Sequence, residues 1–165
     1  MTTAVQQKVT YTSTNVDLSA FHASFDAALA DIRANLGKSY PLYINGKEVK
    51  GSDGGAPIVD TSPIDTSVIL GRFEAAGPAQ IDEAVKSARV AQTGWAKLPW
   101  KQRLAVMRKA ASIIRERKFD LAATMSLEVG KSRLEAMGDA EESADLIDYY
   151  AQQVEDADGF VRPMA

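Results

Sequence analysis

The dipeptide Asn45-Gly46, set between Leu42-Tyr43-Ile44 and Lys47-Glu48-Val49, most restricts how this chain can fold. Asparagine and glycine both tolerate positive φ, which a type I′ turn demands at both central positions, so residues 42–49 read as a β-hairpin. The apolar spacing changes on either side of it. Leu18, Phe21, Phe25, Leu29, Ile32 and Leu36 fall three and four apart, which predicts a helix over residues 17–36. Asp17 or Asn15 is suited to cap its start, and Gly37 to turn the chain at its end. Residues 51–56 read as a flexible loop. Residues 58–61 and 68–75 read as short strands, the first broken at Ser62-Pro63 because proline donates nothing to a ladder.

Beyond Gly77 the pattern is helical. Pro78 suits a first turn, and the spacing predicts a helix over residues 78–92 that buries Ile81, Val85, Ala88 and Ala91, with Trp95 as a packing anchor after it. A third helix spans residues 100–117, with Leu104, Met107, Ala111 and Ile114 inward and a basic face of Arg103, Arg108, Lys109, Arg115 and Arg117. A fourth spans 119–129 and stops at Gly130. A fifth spans 132–156, with Leu134, Met137, Ala144, Ile147 and Val154 near one side. Asp158-Gly159 ends it, and Phe160-Val161-Arg162 has the composition to open a strand. The expected class is therefore α/β, divided into a loose arm (1–16), a hairpin with a helical layer (17–158) and a cut strand (159–165).

Charge and composition exclude several functions. Net charge is −3, which disfavours a nucleic-acid or anionic-membrane partner. The arginines of the third helix have no interleaved aromatics, so that face reads as solvated or as a contact with the acidic run Asp139, Glu141, Glu142 and Asp145. Cysteine is absent, which removes disulfides, thiolate metal sites and a cysteine nucleophile from these residues. His22 is the single histidine, so a histidine metal site and a serine–histidine triad at Ser24 or Ser126 are both excluded. No glycine-rich phosphate fingerprint is present. Residues 1–10 lack the apolar segment of a signal peptide, and no run reaches the ~20 apolar residues that span a bilayer. A cytoplasmic-type protein is expected.

Taken in order, Tyr40-Pro41-Leu42-Tyr43-Ile44-Asn45-Gly46, Thr61-Ser62-Pro63, Gly77 to Gly94 closing on Trp95, Arg103-Leu104, Glu128-Val129-Gly130-Lys131 and Asp145-Leu146-Ile147-Asp148-Tyr149-Tyr150-Ala151 resemble the N-terminal third of an NAD(P)-dependent aldehyde dehydrogenase. The resemblance covers about residues 38–151. The long helix before Tyr40 tilts it toward the 1-pyrroline-5-carboxylate (glutamate semialdehyde) branch. It implies the N-terminal portion of that fold, an incomplete dinucleotide-binding domain, NAD as cofactor and an aldehyde as substrate. For the full-length protein it implies a homo-oligomer. It also implies a cysteine nucleophile, a general-base glutamate and an oxyanion-binding asparagine, all beyond Ala165, so no residue here is assigned a catalytic role.

Two sets of site residues follow from the resemblance, each beside a plainer reading. Glycine after an apolar helix is an ordinary stop, and Lys131 suits the negative end of the helix dipole. The family adds a monovalent cation held by backbone carbonyls, here those of Asp60, Thr61 and Glu128, oxygen ligands of the kind hard cations take. Glu141, Glu142 and Asp145 crowd one turn of the fifth helix, where like charges repel and a solvated face is expected. By resemblance, Glu142 matches a glutamate at the mouth of the aldehyde pocket.

Overall fold

Asp17 sets the start of the first helix. Its Oδ1 accepts the Ser19 backbone N–H at 2.9 Å and the Ser19 hydroxyl at 2.7 Å. In the computed structural model, which describes residues 17–52 and 55–161, α1 is Ser19–Arg33. Helix α1 is shorter than its apolar stripe suggests, and Leu36 lies in the turn beyond it. Phe21, Phe25 and Ala28 are buried. The expected arm over residues 1–16 lies outside the described residues.

The Gly37 N–H donates to the Leu70 carbonyl and leads into a strand not expected from the sequence, β1 (Lys38–Tyr40). Three exposed residues with no alternation gave it no periodic signal. Next comes the hairpin of β2 (Leu42–Ile44) and β3 (Lys47–Val49), in register Leu42↔Val49, Tyr43↔Glu48 and Ile44↔Lys47. Asn45 has φ of 53° and Gly46 of 72°, as the type I′ reading requires. β4 (Ile58–Thr61) and β5 (Ile69–Phe73) pair antiparallel, while β1 joins the other edge of β5 in parallel. The register slips between Asp60 and Thr61.

Four helices follow: α2 (Pro78–Lys97), α3 (Trp100–Glu116), α4 (Lys118–Val129) and α5 (Arg133–Asp156). α2 continues five residues past its expected end and carries Trp95 inside it. It has no buried residue. Ile81, Val85, Ala88 and Ala91 are exposed, as is Trp95 at 42%, so neither the buried face nor the packing anchor is realised among the described residues. In α3 Ala111 is fully buried, Leu104 and Ile114 are half-buried, and Met107 is exposed against expectation. Asp158–Phe160 forms a 3₁₀ turn, not the opening of a strand. Phe160 sits there at φ of 56°, a left-handed conformation incompatible with extension. Arg162 lies outside the described residues.

The core lies where α1, α4 and α5 meet, at Phe21, Phe25, Ala28, Ala122, Ala123, Ala136 and Met137. Alanines on α4 and α5 let two helix backbones approach while the α1 phenylalanines fill the remaining space. Phe21 packs against Phe25 and Phe119 with ring centroids 6.0 Å apart in both pairs.

Candidate functional site

The site residues expected from the sequence lie on α5 and at the junction of β4 with α4. Helix α5 opens with a capping box. The Ser132 N–H donates to Glu135 Oε2 at 3.1 Å, and the Glu135 N–H reaches the Ser132 hydroxyl at 3.4 Å. These bonds from Ser132 hold the Glu135 carboxyl below its ordinary value, because they favour the charged form. Lys131, just before the helix, pairs with Asp139.

Charge fixes α5 against its neighbours. Arg115 donates to Asp148 at 2.7 Å and to Asp145 at 3.1 Å, and Arg108 donates to Glu155 at 2.6 Å and to Asp148 at 3.3 Å. The contact expected between the basic face of the third helix and the acids of the fifth therefore exists, reaching further along α5 than the run at 139–145. Hydrogen bonds to these carboxylates raise both guanidinium pKa values, through Glu155 first for Arg108 and Asp148 first for Arg115. At the α1 end, Arg133 pairs with Asp26 at 2.5 Å and lies over the Phe25 ring at 4.9 Å. His22 is exposed, with Nδ1 3.5 Å from Arg133.

Glu141 corrects the reading of a solvated acidic turn. It is only 5% exposed and accepts from Lys118 Nζ at 2.8 Å, itself a buried ammonium. Met137, Ala140, Glu141 and Ala144 follow helical core spacing, so the signal for a buried carboxylate was present in the apolar pattern around it. Lys118, which answers it, was not recognised.

Glu142 is different. Its carboxylate is exposed and has no hydrogen bond or ion pair among the described residues. Every other carboxylate of α5 has a described interaction: Asp139, Glu141, Asp145, Asp148 and Glu155 through ion pairs, Asp156 through Gln152, and Glu135 through the cap. The helix that carries Glu142 is thus tied to α1, α3 and α4, while its own side chain has no partner among the described residues.

The second region centres on Ser62, which is 3% exposed and donates to the Leu127 carbonyl at 2.7 Å. This bond ties the end of β4 to the last turn of α4. Gly130 closes that helix at φ of 77°, the left-handed conformation that ends many helices. Asp60 and Glu128 line a single cavity of about 270 Å³ between α1, the sheet and α4, with Tyr40, Leu70, Phe73 and Thr124. Thr61 and Glu142 are not among its lining residues.

Among the described residues the only helix preceded by glycine and a strand is α2, and there the Gly77 N–H is taken by Gln80 Oε1 at 3.0 Å while Gln80 Nε2 donates to the Lys50 carbonyl. Among the described residues, no group of three or more His, Cys, Asp or Glu side chains could hold a metal ion, and no helix is long and apolar enough to cross a membrane.

Comparison with known proteins matches this arrangement to one family. A 1-pyrroline-5-carboxylate dehydrogenase 2 of Halalkalibacterium halodurans is 36% identical over 132 residues, covering 80% of this chain and 25% of that protein. The chain thus spans about a quarter of the length of such curated relatives. The solved structure of a mutant 1-pyrroline-5-carboxylate dehydrogenase of Thermus thermophilus superposes with a TM-score of 0.81 at 30% identity, over 100% of this chain and 31% of its own. A Thermus 1-pyrroline-5-carboxylate dehydrogenase with bound NAD superposes with a TM-score of 0.78 at 32% identity, over 92% of this chain and 28% of its own. The α/β arrangement is the N-terminal part of that fold. Since the Aldehyde dehydrogenase family model also matches residues 49–165, the chain belongs to the aldehyde dehydrogenase family.

Proposed function

We propose that this chain is the N-terminal part of an NAD-dependent L-glutamate γ-semialdehyde dehydrogenase, which oxidises the aldehyde to glutamate in proline breakdown. The observation that carries this reading is the superposition on the Thermus 1-pyrroline-5-carboxylate dehydrogenase over the whole chain, α1 included. NAD as the cofactor is supported by the related Thermus structure with bound NAD. No described residue is assigned to the dinucleotide, and the part proposed for these residues is to position and to bind.

Glu142 is the proposed substrate contact. A carboxylate that is exposed and without a partner among the described residues, on a helix anchored at both ends, is suited to meet the ammonium group of an amino-acid aldehyde. The carbonyls of Asp60, Thr61 and Glu128 are the proposed monovalent-cation ligands, a reading supported by the cavity that Asp60 shares with Glu128. The 165 residues alone contain no cysteine to attack an aldehyde. Purified as such, they should give no NADH from glutamate semialdehyde and NAD.

Steady-state kinetics of Glu142→Gln in the full-length enzyme test the assignment. Loss of one charge-assisted hydrogen bond, roughly 1.5–3 kcal/mol, lowers kcat/KM about ten- to a hundredfold, with the melting temperature unchanged. Kinetics within about twofold of the parent's would make Glu142 a solvated surface charge.

A further inference from the structure

We propose that Asn45 is a site of spontaneous backbone modification, cyclising onto Gly46 to a succinimide that water opens to aspartate or isoaspartate. Three observations at the hairpin tip support it. Asn45 is exposed, and its carboxamide has no hydrogen bond among the described residues. The Gly46 N–H is likewise absent from the hydrogen bonds of the described turns. Gly46 has no side chain to crowd its own nitrogen, and beyond its chain neighbours nothing lies within 4 Å of the position a Cβ would take, so the tip is open to solvent.

The step balances without an oxidant or a reductant. The Gly46 backbone nitrogen loses its proton and bonds to Asn45 Cγ. The Cγ–Nδ2 bond breaks, and the side-chain amide leaves as ammonia with a proton from solvent. Water then adds to the ring. Opening at Cγ gives aspartate, and opening at the main-chain carbonyl gives isoaspartate, whose backbone runs through the former side chain.

Attack requires the Asn45 side chain to swing onto the Gly46 nitrogen, a rearrangement that local opening of the hairpin allows. The hairpin is built to open. Among the described residues it has two strands of three residues, pairs with no third strand, and buries one residue, Ile44. The two products differ in consequence. Aspartate suits a type I′ turn as asparagine does. Isoaspartate adds a carbon to the backbone of a two-residue loop and so disturbs the turn that sets the Ile44↔Lys47 register.

Asn35 is the internal control. It too is exposed, but Leu36 follows it, its Nδ2 donates to the Asp31 carbonyl at 2.8 Å, and Lys38 donates to its Oδ1. The unmodified chain is incubated at mildly basic and mildly acidic pH, then peptide-mapped by mass spectrometry with an isoaspartyl methyltransferase assay. The expected result is conversion at Asn45 at least about tenfold faster than at Asn35, since glycine leaves the attacking amide unhindered. The Asn45 rate should rise about tenfold per pH unit, as the amide anion does. The Asn45→Asp chain should keep the hairpin and start without methyl-acceptor signal. Equal rates at Asn45 and Asn35, or a rate at Asn45 independent of pH, would overturn the proposal.

Discussion

At the scale of single residues, the decisive group is the ion pair of Lys118 with Glu141. Both side chains are at most a tenth exposed. Removing one partner strands a charge in the interior, which costs about 3–5 kcal/mol, whereas replacing both by apolar residues of similar volume is often neutral. Glu141→Ala should therefore destabilise the chain strongly, and Lys118→Met with Glu141→Leu should restore most of the loss in urea titrations. Equal stability of the single and double variants would show that the pair contributes little. Ser62→Ala, which leaves the buried Leu127 carbonyl without its donor, should cost about 1–3 kcal/mol by the same measurement. The contrast between Glu141 and Glu142 was only half legible in the sequence. The spacing of Met137, Ala140 and Ala144 carries the signal for an inward position 141, yet the crowding of acids there was read as a solvated face. That Lys118, distant in sequence, would answer it depended on how α4 packs on α5.

At the scale of elements, the start of α5 makes a pH prediction. Ser132 holds Glu135 below its ordinary pKa, so the bond contributes stability above the unfolded-state value of about 4.3 and loses it as pH falls through the folded-state value. Ser132→Ala should remove about 0.5–2 kcal/mol of capping at neutral pH and flatten the acid limb of stability, as thermal melts across pH would show. An unchanged acid limb would mean that the box is not formed in solution. Capping and turn chemistry is local, which is why Asn45-Gly46 and Gly130 were readable in advance; the Ser132 cap is equally local, but the expected helix began at Ser132 itself rather than after it. β1 and the outward face of α2 were not, because the first exists only by pairing with β5, distant in sequence, and the second has an apolar stripe that stays exposed among the described residues.

At the scale of the molecule, apolar surface is the main liability. Ile81, Val85, Val90, Trp95, Tyr149 and Tyr150 are each at least two-fifths exposed, and such surface favours association. The 165-residue chain should bind a hydrophobic dye and sediment with concentration-dependent mass, whereas a sharp melt of a dye-silent monomer would contradict this. The fold class was legible because a helical period is followed by short strand-like runs and then by helical periods beyond Gly77. The meeting of α1 with α4 and α5 was not, because it joins Phe21 and Phe25 to Ala122, Ala123, Ala136 and Met137. That separation of roughly a hundred residues has a cost in time. At about 5–20 residues per second, α1 leaves the ribosome about 5–20 s before the residues that cover its phenylalanines are translated. Throughout that interval its apolar stripe is bare, so the nascent chain offers a holding chaperone a binding site that disappears once α5 is made.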